Sequence, residues 1–320
     1  MNEIKNRING LELGNAQQYK NMAVLPLIGK SSNLDYLVFS DALNSGLSVR
    51  ETGDVSTLHF TNKTGNEVLI LQGEYVMGGK QNRMVATNVC MSKNFDGPVP
   101  VRCVEHFRWQ GDVGTRFRSV DTIATKKVAF AAAIGQQEVW DEVADLAQEH
   151  CVSAPTFDMG EVFQQKKSDT GEYSSRFNYI NGSVGVVALI NSGSRKIVGV
   201  DIFDKARTME KHFNKIIQSY SLDAIHQGNN AEVNERRIAD FIDNIENCSF
   251  VERKAVSLGR DYKIEGDKIE GFALVYDDNA LYTTFTNRSE TGKIRRASNT
   301  LETLEAHTGY STCTGFRRIR

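Results

Sequence analysis

Over residues 1–125 the apolar side chains come in short runs: Tyr36–Phe39, Leu47–Glu51, Val55–Asn62, Glu67–Leu71, Met84–Met91 and Val99–Val104. The runs are rich in β-branched and aliphatic residues, and Gly, Asn, Asp or Pro separates most of them, so much of this half is expected to be antiparallel sheet. In Val55–Asn62 the alternation puts Leu58 and Phe60 on one side, and Lys63-Thr64-Gly65-Asn66 is suited to turn the chain into the next strand.

The period then changes. In Gln136–Glu149 the residues Val139, Trp140, Val143, Leu146 and Ala147 recur at helical spacing, which predicts a core-facing helix. A second helix is expected after Asp204 as N-cap, with Phe213, Ile216, Ile217, Tyr220 and Ala224 on one face, and a third near Ala231–Glu246. Strands Val184–Ile190 and Lys196–Phe203 lie between the first two helices, and the polar Gln164–Ser175 reads as an exposed loop. From Asp261 the strand pattern returns in Tyr262–Ile264, Gly271–Tyr276 and Leu281–Thr286. The expected class is α+β, with antiparallel β-sheets packed against a helical layer and a C-terminal β-meander. Residues 1–290 are expected to form one domain, β-rich over 1–125 and mixed α/β over 126–290, since four prolines in the whole chain leave no Pro-rich linker to divide it. Residues 291–320 lose the hydrophobic period, carry six Lys or Arg against two Glu, and are expected to be a mobile basic tail.

Composition narrows the partners. With 320 residues and 40% apolar side chains the chain can fill a core. Its 38 basic and 40 acidic residues lack the positive excess that binding to a duplex backbone demands. The longest apolar stretches, around Val128–Ile134 and Val184–Ile190, fall short of the roughly 20 residues of a membrane-spanning helix. The polar N-terminus has no apolar signal core, which points to a cytoplasmic protein. Five scattered cysteines without a Cys-x-x-Cys pair, and six scattered histidines, indicate neither a disulfide scaffold nor a histidine-built metal site. Carboxylate-bound magnesium would leave no such mark, and no cofactor is assigned.

Two segments could carry chemistry. In Gln72–Arg83 an apolar strand runs into Glu74, the pair Gly78-Gly79, and then Lys80, Gln81, Asn82 and Arg83. Paired glycines let backbone approach a ligand, and a point charge, two amides and a bidentate guanidinium suit a phosphate or carboxylate. The same residues also fit a Gly-Gly hairpin with solvated polar side chains. In Val99–Trp109, a strand continued to Trp109 would place Cys103, Glu105, Phe107 and Trp109 on one face. Glu105 there could move a proton as general acid or base, or pair with an arginine as structure. Cys103, without an assignable histidine partner, reads as a small buried packing residue.

These stretches, with Leu11–Leu27, Asp35–Glu51, Gln136–Val143, Val198–Asp204, Ser219–Ala224 and Leu258–Phe285, resemble the bacterial and archaeal proteins associated with ADP-ribosylglycohydrolases and the rhodanese/phosphatase superfamily. The motif residues fall on Glu74, Gln81, Asn82, Arg83, Cys103, Glu105 and Trp109, while His106-Phe107 stands where the pattern has Gln or Glu and then Gly. The resemblance implies binding, and processing by a hydrolase-type activity, of an anionic NAD-derived or ADP-ribose-like nucleotide. In that expectation Lys80 and Arg83 hold phosphate, Gln81 and Asn82 orient sugar or base, Trp109 stacks, and Glu74 and Glu105 are catalytic. The alternative is a non-catalytic ligand sensor or protein-interaction module, with the same charges paired as structure.

Overall fold

The computed structural model describes residues 1–108, 117–192, 195–225 and 235–287; Trp109 and the expected tail at 291–320 lie outside these ranges. Among the described residues the largest sheet has nine strands. Met22–Ile28, Ser183–Ser192, Arg195–Phe203, Asn279–Asn287, Ile269–Tyr276, Arg260–Glu265 and Ser249–Arg253 follow one another across it, each antiparallel to the next. Successive side chains point to opposite faces, and both faces are covered. Val186, Ala188 and Ile190 pack with Phe213, Ile216 and Tyr220 of the helix Ala206–Ala224. Val187 and Leu189 pack on the other side with Ile4 of the helix Asn2–Asn9 and with Ile238 and Ile245 of Glu235–Glu246. The last four strands of this sheet form the expected C-terminal meander.

The N-terminal half supplies two further sheets. One has six strands in the order Arg118–Ile123, Glu74–Met77, Arg83–Val85, Asp96–Cys103, Thr57–Asn62 and Leu47–Glu51. The other has three, Val89–Met91, Glu67–Ile70 and Tyr36–Val38, of which the last two run parallel. Helices Lys126–Ala131, Gln136–Glu149 and Met159–Gln165 close the six-stranded sheet, packing Val128, Phe130, Val139, Val143 and Val162 against Tyr75 and Met84. The class is therefore α+β, with antiparallel sheets and a helical layer.

Several local expectations change. Gln164–Ser175 is mostly helix, Lys167–Ser174, and buries Tyr173, whose hydroxyl donates to Asn21 Oδ1 at 2.6 Å. Met84–Met91 is split between two sheets, because Asn88 leaves the ladder and its Oδ1 takes the Gln72 N–H at 2.9 Å. The strand through Val99 ends at Cys103 and does not reach Trp109. There the Gln136 side chain stands in for a neighbouring strand, its Oε1 accepting from Cys103 N–H and its Nε2 donating to Cys103 C=O, both at 2.8 Å. Trp140 leaves the core face of its helix and stacks on His106, with ring centroids 4.0 Å apart.

Candidate functional site

Glu74–Met77 pairs with Arg83–Val85 in a tight antiparallel register, Val76 opposite Arg83 and Tyr75 opposite Met84, and Cys103 lies opposite Arg83 on the next strand. Cross-strand partners share a face and neighbours alternate. Val76, Arg83 and Cys103 thus face one side with Glu74, while Tyr75 and Met84 face the other. The loop between the strands turns on Gly78 and Gly79, both at positive φ. A side chain at Gly79 would force its neighbours to move: a Cβ there would lie 2.2 Å from Glu51 Oε1 and 2.4 Å from the Phe117 ring. Glu51 Oε1 in turn accepts the Lys80 N–H at 2.9 Å, which ties the loop to the sheet edge.

The two expected catalytic carboxylates have separate partners. Glu74 is 1% exposed; Oε2 accepts the Leu71 N–H at 2.9 Å, and Oε1 forms an ion pair with Lys215 of the long helix. His212 Nε2 lies 3.9 Å from the same oxygen, and burial together with Lys215 pushes its pKa well below the usual range, so the ring is neutral. Glu105, 3% exposed, accepts the Asn82 N–H on Oε2 at 3.0 Å and the Arg108 Nε–H on Oε1 at 2.8 Å. Arg108 also donates to Gly79 C=O at 3.1 Å and to Asn82 Oδ1 at 3.2 Å.

The amides expected to orient a ligand make hydrogen bonds that hold the loop. Gln81 Nε2 donates to Glu105 C=O at 2.9 Å, and Asn82 Nδ2 donates to Asp158 Oδ2 at 3.0 Å. Asp158 caps the helix Met159–Gln165 and also receives the Tyr75 hydroxyl at 2.9 Å; burial raises its pKa. Arg83 is fully buried, and among the described residues its side chain makes one hydrogen bond, a 3.4 Å contact to Gln81 Oε1. Lys80 is half-buried, and Trp109 is outside the described residues. Cys103 is 2% exposed, and burial raises its thiol pKa, as suits a packing residue.

The most exposed side chain in this region is aromatic. His106 is sandwiched between Trp140 and Phe107, with interplanar angles of 14° and 13°, and Phe107 is 63% exposed. Phe157 meets Phe107 edge-on at 5.5 Å. The backbone N–H groups of His106 and Phe107 both donate to Thr156 C=O, which holds the ladder beside Arg108.

A second polar cluster escaped sequence reasoning. Asp201, fully buried on Arg195–Phe203, pairs with Lys126 and accepts the hydroxyls of Tyr282 at 2.5 Å and Tyr220 at 2.7 Å. Gly199 makes this possible, since a Cβ there would lie 2.3 Å from the Tyr220 hydroxyl. The available signal was a charge where the pattern calls for an apolar residue: Asp201 between Val200 and Ile202, and Lys215 beside Ile216. Among the described residues no group of three or more His, Cys, Asp or Glu is placed to hold a metal ion, and no helix is long and apolar enough to cross a membrane.

No curated protein and no solved structure matches the chain. One family model does, over residues 10–286. Its name records a link to ADP-ribosylglycohydrolases and to the rhodanese and phosphatase superfamilies. Matched across nearly its whole described length, the chain belongs to the family of the ARG and Rhodanese-Phosphatase-superfamily-associated Protein domain.

Proposed function

We propose that the protein is a non-catalytic binding module for an ADP-ribose-like nucleotide, recognised at the surface formed by Lys80, Phe107 and Arg108. One observation carries the reading: Glu74 and Glu105 are each buried and each bound to a cation of its own, Lys215 and Arg108, rather than facing a common cleft. A general acid or base must be within reach of the proton it moves, and paired acid–base chemistry needs two carboxyl groups flanking one bond. Carboxylates committed in this way support the fold. The exposed Phe107 ring, next in the chain to Arg108 whose side chain keeps 30% exposure, offers instead a stacking face near a cation, the combination that suits a base joined to phosphate. Trp109 continues this aromatic run in the sequence. In this reading Gln81, Asn82 and Arg83 shape the loop from beneath.

Calorimetric titration with ADP-ribose and NAD tests the proposal, with chromatography of the same samples to look for products. Phe107→Ala is expected to weaken binding by about tenfold, in line with roughly 1–3 kcal/mol for one base–aromatic stack, and no product is expected. Turnover that disappears in folded Glu74→Gln protein would refute it.

A further inference from the structure

A titratable ring is built into the stacking face. His106 is the middle member of a ladder, its centroid 4.0 Å from that of Trp140 and 4.3 Å from that of Phe107, nearly parallel to both. The ladder is held from several sides. The His106 N–H donates to Thr156 C=O at 2.9 Å, its C=O accepts from Gln81 Nε2 at 3.2 Å, and Phe157 meets Phe107 edge-on. His106 is only partly buried, so its ring exchanges protons with solvent while its neighbours fix its place. An ordinary imidazole changes charge near pH 6.5, within the range where unperturbed carboxylates and amines do not. The charged groups packed around it come from three elements. In its own loop Glu105 is bound to Arg108, and beside Phe157 Asp158 is taken by Tyr75 and Asn82. On the helix of Trp140, Asp141 is exposed and accepts from Gln137 Nε2 at 2.9 Å. Burial lowers the His106 pKa and Asp141 works against that shift, so the ring is neutral above about pH 7 and takes a proton in mild acid.

We propose that His106 makes this surface pH-responsive: once protonated, it sets a positive charge directly behind the Phe107 ring and tightens the hold on the phosphates of a bound nucleotide. The inference rests on the nucleotide reading of the same surface. Protonation leaves the ladder standing, because an imidazolium between two aromatic faces gains cation–π attraction. Arg108 keeps its charge throughout, so His106 is the member of the surface whose charge varies. The coupling is reciprocal: a ligand that prefers the protonated ring raises the His106 pKa by the same factor by which acid tightens its binding. Affinity therefore rises as pH falls through the pKa of the bound and then the free protein, and is level on either side. A unit charge added near a diphosphate at a solvent-facing site is expected to change affinity about three- to tenfold.

Calorimetric titration of the full chain with ADP-ribose and with adenosine, at about pH 8 and about pH 5.5, tests the proposal. The diphosphate of ADP-ribose keeps its charge across this range, so a change in affinity reports on the protein. ADP-ribose is expected to bind about three- to tenfold tighter at the lower pH, and adenosine, which stacks but carries no phosphate, equally at both. In His106→Phe, which keeps a flat ring and loses the proton, the dependence on pH is expected to vanish. Buried Asp223 titrates in the same range, and this variant separates the two. Binding of ADP-ribose that does not change with pH, or that weakens in acid, overturns the proposal and leaves the nucleotide reading intact. A dependence that persists in His106→Phe assigns the proton elsewhere, and an equal dependence for adenosine assigns it to a rearranged ladder; either result overturns the proposal. No binding of ADP-ribose at either pH removes the reading and this inference with it. The comparison of the two ligands uses wild-type protein, so it stands even where His106→Phe does not fold.

Discussion

Glu74 and Lys215 make the sharpest test of whether the charges near the loop serve the fold. Their side chains are 2% and 5% exposed, they pair directly, and the remaining Glu74 oxygen is taken by the Leu71 N–H at 2.9 Å. Removing one member of a buried pair strands the other in a low dielectric, which costs about 3–5 kcal/mol, whereas removing both is often nearly neutral. Glu74→Gln keeps an acceptor for Leu71 and strands only the ammonium, so a loss near about 3 kcal/mol is expected. Lys215→Met leaves a carboxylate with one N–H donor and a neutral His212 beside it, and its loss is expected nearer the upper figure of about 5 kcal/mol. The double variant is expected within about 1–2 kcal/mol of wild type, so the two changes are strongly non-additive. Urea melts of the four proteins, analysed with a shared m-value, give the coupling directly. Single losses under about 1 kcal/mol, or losses that simply add, would show that the pair is not a buried ion pair in solution.

Three further outcomes follow from the same reasoning. Burial raises the Asp223 pKa from 3.8 to about 7, against Lys127 and Lys126, which lower it, and with Glu149 and Glu142, which raise it. The folded state therefore holds this proton more tightly than the unfolded chain; the stabilisation is full below about pH 4 and fades as pH rises through about 7, by up to about 4 kcal/mol, so Asp223→Asn should flatten urea stability between pH 5 and 8 and raise it at pH 8. A steep fall that persists in the variant would assign the dependence elsewhere. Of the four described cysteines Cys151 is exposed and Cys90, Cys103 and Cys248 are buried, so native iodoacetamide labelling read by peptide mass should find Cys151 and spare the other three; fast labelling of Cys103 would contradict its placement. Gly79→Ala puts a Cβ into Glu51 and Phe117 at a φ of +55°, and a loss above about 2 kcal/mol in the same melts is expected, while a neutral result would mean that the loop adopts another turn.

Much of the fold is legible because its signals are local. Leu58 and Phe60 alternate into one core as their period dictates, and Val139, Val143, Leu146 and Ala147 mark the buried stripe of their helix. Where tertiary partners decide, the sequence is silent. Lys167–Ser174 has almost no apolar stripe and is held through Tyr173 to Asn21, 152 positions away. The end of the strand at Cys103 depends on Gln136, and the position of Trp140 depends on an aromatic partner in a loop. The candidate loop was recognisable by its residue types, but whether Asn82 meets a ligand or Asp158 is set by a helix cap 76 positions on. The Asp201 cluster is legible only in retrospect, because a charge inside an apolar strand says that a partner exists without saying which.

Two ion pairs, Glu74 with Lys215 and Lys126 with Asp201, cross the same seam between the N-terminal sheet with its helices and the nine-stranded sheet with the helix Ala206–Ala224. Desolvation makes such pairs poor sources of net stability, so two of them on one seam call for a different account. An apolar seam of similar area could slip, since methyl groups pack acceptably in several registers. A lysine that must meet one carboxylate cannot. The hypothesis is that the pairs select one way for the two layers to meet. On that hypothesis the Glu74→Gln, Lys215→Met double variant, although nearly as stable as wild type, should exchange the amide hydrogens of Ile123–Lys126 and of the helix around Ser219 faster by tenfold or more. Native exchange in a double variant of native stability would reduce the pair to packing.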